Sequence, residues 1–248
     1  CNLSLTWRKM MYENEKRECQ LLINDGWILI LPALALGIVG PTVLGILGLA
    51  CLSSILGTLC FLFVIFMLWF FRNPVRVPPA GEENIVSGAE GTVRSVQYVS
   101  ETDDVPAAEV VKEFFPGQRA VRISTFLSPL HVHVNRLSIG GKVTQCEYRH
   151  GKHLLTMDER SSLYNQHSVI VVEDKDGLRC LHKQITGPVV RRVVYWLEQD
   201  QPVRRGDILG MMKFGSRMDI WLPADRVEVC VKEGDPVMAG VTVIAKRK

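Results

Sequence analysis

The sequence predicts a mostly β domain of sandwich or barrel type that follows an N-terminal two-helix transmembrane hairpin. Two observations predict this: an uncharged run of 46 residues, and a regular series of short β-branched segments after it. One membrane crossing needs about 20 apolar residues, so the run is long enough for two. Short strands that recur at regular spacing, with turn residues between them, are typical of a sandwich or a barrel.

The uncharged run extends from Gly26 to Phe71. It predicts helices over about 27–47 and 50–71, joined by a glycine-containing turn, so that 26–71 forms the hairpin. Basic residues precede the run and follow it, which places both ends, including the polar segment 1–25, in the cytoplasm. A single long kinked span and a buried hairpin of a soluble protein are the alternatives.

Residues 72–248 are predicted to form one domain. Residues 107–115 are expected to form a short helix, and the charged, proline-bearing stretch 100–106 a loop. Strands are predicted at 92–99, 119–127, 131–137, 142–148, 168–173, 190–197, 207–213, 217–222, 227–231 and 241–245.

Overall composition narrows the classes of function. The formal net charge is +3, and the basic residues are scattered, so no nucleic-acid partner is expected. The seven cysteines are odd in number and form no CxxC pair, which indicates unpaired thiols rather than a disulfide framework or a zinc site. The chain begins at Cys1, and whether this is the true N-terminus is left open.

The pair Gly215-Ser216 lies between two predicted strands. A Gly-Ser bond in a tight turn can rearrange, because the serine hydroxyl can attack the preceding carbonyl and convert the peptide to an ester. β-Elimination and hydrolysis would then leave a pyruvoyl group and release ammonia. In isolation, however, a Gly-Ser pair is most often an ordinary turn.

Two further segments carry titratable groups. His131 and His133 lie in a predicted strand, which would put both on one face, where they could bind a metal or serve as acid or base. Glu90 lies between two glycines just before a strand, and it could orient a histidine or assist processing. The alternatives are two histidines on a half-exposed strand and a solvated turn acid.

Taken together, these segments resemble the short form of the phosphatidylserine decarboxylase family over roughly residues 65–248. The motifs occur in the family's order. They are Phe70-Phe71-Arg72-Asn73-Pro74-Val75-Arg76, Gly88-Ala89-Glu90-Gly91, Ser128-Pro129-Leu130-His131-Val132-His133-Val134-Asn135-Arg136, Gln184-Ile185-Thr186-Gly187 with Arg191-Arg192, Phe214-Gly215-Ser216-Arg217-Met218-Asp219, and Leu222-Pro223.

The resemblance implies a proenzyme that cuts itself between Gly215 and Ser216 into a β chain of residues 1–215 and an α chain of residues 216–248. The pyruvoyl group derived from Ser216 would be the covalent cofactor. It would form a Schiff base with the serine amine of the lipid, so that CO₂ leaves and phosphatidylethanolamine is released. The resemblance implies no metal and no diffusible cofactor.

Site residues follow from the same resemblance. His133 matches the family's active-site histidine, as a proton donor or a contact to the lipid carboxylate. Arg72, Arg76 and Arg136 are candidates for the lipid phosphate, on charge and placement. The partners implied are an anionic phospholipid at the cytoplasmic face of the inner cell membrane and the two cleaved chains, with a homodimer left open.

Two departures from the family pattern matter for function. The family usually has Pro-Ala-Asp-Gly where this chain has Glu90 in its acidic turn, and it usually has Asp in place of His131. A decarboxylase-like protein that never processes is therefore one alternative. A hydrolase with a metal on His131 and His133, completed by His150, His153 or Asp158, is another, and a membrane adaptor with carrier-like hairpins is a third.

Overall fold

The computed structural model describes residues 17, 20, 22–155, 160–187, 193–213 and 216–248. These residues belong to two compact units. One lies within Cys19–Pro74, and the other comprises Val75–Lys248 together with Cys1–Glu18, of which only residue 17 is described.

The first unit is a pair of apolar helices, α1 (Trp27–Ile46) and α2 (Ala50–Phe70). The turn between them contains Gly48 at φ 74°, a left-handed conformation that glycine adopts without steric cost. Both helices are long and apolar enough to cross a membrane. Large apolar side chains are exposed along them, such as Ile28 at 75% and Ile46 at 81%, as expected of surfaces that face lipid. The predicted pair of helices is confirmed.

The second unit is mostly β, which confirms the predicted fold class. It contains α3 (Ala108–Phe114), within the predicted helix, and a one-turn helix α4 (Ser161–Tyr164). Its strands are β1 (Asn84–Val86), β2 (Gly91–Val99), β3 (Ala120–Leu127), β4 (Val134–Arg136), β5 (Gly141–Arg149), β6 (His167–Glu173), β7 (Arg179–Ile185), β8 (Val193–Tyr195), β9 (Pro202–Val203), β10 (Ile208–Met212), β11 (Ser216–Pro223), β12 (Val227–Val229), β13 (Pro236–Val237) and β14 (Val243–Arg247).

The largest sheet has the order β13-β2-β3-β11-β7-β6-β5-β9 and is curled into a half-barrel. All its described pairings are antiparallel. Two sheets of three strands, β1-β14-β12 and β4-β10-β8, complete the described β structure. Strand β11 lies at the centre of the large sheet, where it pairs with β3 along its whole length and with β7 over five residues.

Strand β11 is buried on both faces. Successive side chains of a strand point to opposite faces, so Ser216, Met218 and Ile220 share one face, and Arg217, Asp219 and Trp221 share the other. Met218 and Ile220 belong to the main hydrophobic core. Trp221 packs in a second cluster with residues of α3.

Several details differ from the prediction, which also did not include short strands such as β1. Strand β4 begins at Val134, so the expectation that His131 and His133 share a strand face is wrong. The His131 amide instead donates to the Ser128 carbonyl at 3.0 Å, which closes a turn before the strand. Strand β7 was not predicted, although it is the neighbour of β11.

Candidate active site

Ser216 is the first residue of the central strand β11 and is 1% exposed. It pairs with Leu127 of β3, and its hydroxyl donates to the Lys213 carbonyl at 3.4 Å. Gly215, the other half of the predicted cleavage site, lies outside the described residues. The serine hydroxyl is therefore held at the start of a buried strand and away from bulk water.

Glu90 lies in a tight turn that leads into β2. Its carboxylate forms an ion pair with Arg76, and its second oxygen accepts a hydrogen bond from the Val132 amide at 3.2 Å. A Cβ on Gly88 would lie 2.7 Å from the Met218 methyl group and 3.0 Å from the Arg136 carbonyl oxygen, so this turn leaves little room for a side chain. The acid is thus tied by hydrogen bond to the segment that carries both histidines.

The two histidines are fixed in opposite tautomers. The His133 Nδ1 atom lies 2.9 Å from the His131 carbonyl, which can only accept, so Nδ1 carries the proton and Nε2 the lone pair. The His131 Nδ1 atom accepts from the Ser128 amide at 3.0 Å, so its proton lies on Nε2. His133 is fully buried and His131 is half-buried, which gives the histidines different environments as well.

The turn that contains His131 gives a physical reason for its departure from the family pattern. An aspartate at this position would accept the Ser128 amide through a carboxylate oxygen, as the His131 Nδ1 atom does. Histidine therefore keeps this side-chain hydrogen bond across the turn.

The three arginines predicted to bind lipid phosphate have different surroundings. Arg76 contacts Glu90 and donates to the Met238 sulfur at 3.2 Å. Arg136 is 2% exposed and donates to the Gly206 carbonyl at 2.8 Å. Arg72 belongs to the helical unit, where its guanidinium lies 4.0 Å from the centre of the Trp69 ring. Phosphate binding by these residues stays a prediction.

A turn from the C-terminal part of the chain packs against the Glu90 turn. The Gly240 amide donates to the Ser87 carbonyl at 2.7 Å, and the Ser87 amide donates to the Thr242 carbonyl at 2.8 Å. A Cβ on Gly240 would lie 2.7 Å from Cδ of Arg136, so this close approach requires glycine. Residues on both sides of the predicted cleavage position therefore build this part of the site.

A chain of buried polar groups lies on the same face of the sheet as Ser216. The Ser168 hydroxyl donates to Gln184 at 2.8 Å, and the Gln184 amide donates to the Asn135 oxygen at 2.8 Å. Gln184 pairs with Met218, which points to the same face as Ser216. Gln184 and Asn135 belong to the motifs named from the sequence, but no role was predicted for them. The spacing of Asn135, Ser168 and Gln184 along the chain does not show that they are buried together in one network.

The opposite face of the sheet holds a cluster of buried charges that sequence reasoning also missed. Asp219 forms an ion pair with Arg217, and both are fully buried. Burial raises the pKa of Asp219, but the attraction of Arg217 and Arg122 outweighs this and holds the pKa well below its usual range. Burial lowers the pKa of Lys183, which lies across from Asp219 on β7, to about 8.

No group of three or more metal-ligating side chains occurs among the described residues. His150 and His153, two of the predicted third ligands of a metal on His131 and His133, are described, whereas Asp158 lies outside the described residues. Arg191 and Arg192, which belong to the motif after Gln184, also lie outside them.

Comparison with known proteins gives one consistent result. The model of the family described as "Phosphatidylserine decarboxylase" matches residues 63–245. The chain is 40% identical to a phosphatidylserine decarboxylase proenzyme of Pelobacter propionicus over 185 residues, which are 75% of this chain and 78% of the relative. It is 39% identical to the proenzyme of Carboxydothermus hydrogenoformans over 233 residues, which are 94% of this chain and 99% of the relative.

Proposed function

We propose, from the premise that this chain belongs to the phosphatidylserine decarboxylase family and is a decarboxylase, that it generates its own pyruvoyl group by cleavage at Gly215-Ser216. The family implies a phospholipid substrate, and the proposed reaction converts phosphatidylserine to phosphatidylethanolamine. The observation that carries the proposal is the position of Ser216, a buried serine that begins the central strand and follows by four residues the backbone partner of His133.

The proximity of Ser216 and the histidine segment rests on one strand pair. Strand β10 pairs with β4, and the Met212 amide donates to the His133 carbonyl at 3.1 Å. Ser216 follows Met212 by four residues in the chain. Four residues span at most about 14 Å, so Ser216 lies in the neighbourhood of the segment that carries His133.

In the proposed cleavage, the Ser216 hydroxyl attacks the Gly215 carbonyl, and the chain passes from peptide to ester as the Ser216 nitrogen takes up a proton. Elimination breaks the bond between the serine Cβ and the ester oxygen, leaving Gly215 as a new carboxylate. Hydrolysis of the remaining dehydroalanine releases ammonia and leaves the pyruvoyl group on the fragment that begins at residue 216.

His133 is the proposed base for this reaction. Its Nδ1 proton is held by the His131 carbonyl, so the Nε2 lone pair is the basic site. Glu90 is assigned an orienting role, because its hydrogen bond to the Val132 amide fixes the backbone directly before His133. Arg76 pairs with that carboxylate and holds it in place.

Burial of residue 216 fits the group it would carry. A pyruvoyl ketone supplies an electron sink that withdraws the bonding electrons of a departing carboxylate. A position that is 1% exposed shields the ketone from bulk water. His133 can then supply a proton to the carbon that loses CO₂.

The two apolar helices support a membrane location. The proposed orientation places the second unit at the cytoplasmic face of the inner membrane, on the bias of basic residues around the apolar run. There the domain would take its lipid from the bilayer, with Arg72, Arg76 and Arg136 as the proposed contacts to its phosphate.

An intact-mass measurement on the purified full chain tests the proposal. Wild type should yield two fragments, residues 1–215 and 216–248, and the smaller should lack an N-terminal amine. Ser216→Ala should remain uncut and release no CO₂ from phosphatidylserine vesicles, whereas the control Ser100→Ala, in an exposed turn, should behave as wild type. An uncut wild-type chain with an intact Ser216 would refute self-processing and favour a processing-deficient relative.

A further inference from the structure

Strand β11 has an unusual position for the start of a chain. If cleavage occurs as proposed, residue 216 becomes a terminus in the middle of an eight-stranded sheet, between β3 and β7. Chain termini fray readily unless they are tied to their surroundings. The new terminus must nevertheless keep its register, because residue 216 would carry the reacting group.

Asp219 makes four hydrogen bonds three residues beyond Ser216. Arg217 donates two of them, one to each carboxylate oxygen and both at 2.9 Å. The Ser124 hydroxyl of β3 donates to one oxygen, and the Ser162 hydroxyl of α4 donates to the other at 2.8 Å. Both serines belong to the proposed 1–215 fragment, whereas Arg217 and Asp219 belong to the other, so the two bonds from the serines would join the two chains.

The groups around Asp219 are buried, which strengthens these hydrogen bonds. Arg217, Asp219 and Ser124 are all 0% exposed, and a hydrogen bond to an ionised group is stronger than one between neutral groups. Lys183 donates to the Ser162 carbonyl at 2.7 Å, which fixes the helix turn that supplies the second serine. Removing one partner of such a group leaves a buried charge without compensation, so the cluster resists local opening.

We propose that Asp219, with Arg217, acts as a positioning group that holds the first residues of β11 in register after cleavage and thereby keeps residue 216 in the active site. Neither side chain faces the reacting residue, because Arg217 and Asp219 point to the opposite side of the sheet from Ser216. Their role is exerted through the backbone of β11. This inference rests on the proposed function, since it concerns a terminus that only cleavage creates.

Hydrogen exchange measured on the cleaved full-length protein in lipid nanodiscs tests the proposal. In Asp219→Asn, the amides of residues 217–219 should exchange at least about tenfold faster than in wild type, while those of residues 220–222 change little. The same substitution made in the uncut Ser216→Ala chain should have a clearly smaller effect, because the backbone there is continuous. A general loss of stability would affect both backgrounds and all these amides alike.

Kinetics give a second readout on phosphatidylserine vesicles. For cleaved Asp219→Asn, kcat should fall about tenfold while KM stays near the wild-type value, because the substitution displaces residue 216 and not the lipid contacts. Trp221→Phe is the matched control: it alters the same face of the same strand but none of the bonds to Asp219. It should leave kcat and the exchange of residues 217–219 unchanged.

The outcomes separate the two proposals. An uncut wild-type chain refutes self-processing and is seen from the mass of wild type alone. A cleaved wild type with equal effects of Asp219→Asn in the cut and uncut chains, or with an unchanged kcat, overturns the positioning role. If Asp219→Asn fails to fold or to cleave, Ser124→Ala, which removes one of the four bonds, undergoes the same comparison and is judged by the same results.

Discussion

Acid should destabilise this protein through His182, a histidine on the inner face of β7. The residue is fully buried, and its Nε2 atom accepts a hydrogen bond from the Ser138 amide at 2.9 Å. Burial lowers its pKa from 6.5 to about 4, because the charged imidazolium would lose its hydration. Between pH 6.5 and pH 4 the unfolded chain therefore binds a proton at His182 that the folded chain does not bind.

The size and sign of the effect follow from this difference. Above pH 6.5 the histidine is neutral in both states, and its contribution to stability is complete. As the pH falls from 6.5 to 4, the unfolded state gains a proton first, and the free energy of unfolding falls by about 3 kcal/mol. For a domain of this size that corresponds to a fall in Tm of roughly 10 °C.

Thermal melting of the full chain in detergent, followed by circular dichroism from pH 7 to pH 4, measures the effect. His182→Gln removes the titrating group and keeps an acceptor for the Ser138 amide, so its Tm should fall less steeply with acid than that of wild type. His150→Gln, at an exposed position, is the control and should follow the wild-type curve. Parallel curves for wild type and His182→Gln would refute the argument.

Three further predictions concern single side chains. Burial lowers the pKa of Lys183 to about 8, so between pH 8 and pH 10.5 the unfolded chain holds a proton that the folded chain has lost, and the stability of wild type should rise with pH. Lys183→Met should lack this rise, and a variant whose Tm rises with pH as steeply as that of wild type would contradict the prediction. Glu90→Gln should slow self-cleavage at least about tenfold by weakening the pair with Arg76, measured as a time course on denaturing gels, and an unchanged rate would count against the orienting role. His131→Asp should melt within about 2 °C of wild type, whereas His131→Ala should lose about 1 kcal/mol of stability with the hydrogen bond from Ser128; equal melting of the two variants would show that the bond contributes nothing.

The parts of the fold that could be predicted from sequence are those in which a local pattern determines the structure. The two helices were predicted because a long uncharged run has few other stable arrangements. Strand β7 was missed because Arg179, His182, Lys183 and Gln184 give it a polar composition, and only the last three are buried. Their burial depends on partners in distant strands, which a local pattern does not contain.

The same limit applies to the site. Ser216 and Glu90 could be proposed from motifs, but the proposed role of Asp219 depends on Ser124 and Ser162, which lie far from it in sequence. The strand predicted over 131–137 is an error of the opposite kind, in which a local pattern was given too much weight. Its β-branched residues favoured a strand, but the preceding Ser128-Pro129 pair begins a turn that extends to His131.

The distribution of residues 216–248 among the sheets has a consequence for biogenesis. This segment of 33 residues supplies the central strand of the large sheet, an edge strand beside β2, and two strands of a separate sheet with β1. We expect such a fragment to fold together with the rest of the chain before cleavage, because its strands pair with strands of residues 1–215 in two sheets. Under the proposed cleavage, folding therefore precedes formation of the pyruvoyl group. A misfolded chain would not cleave itself and would stay inactive.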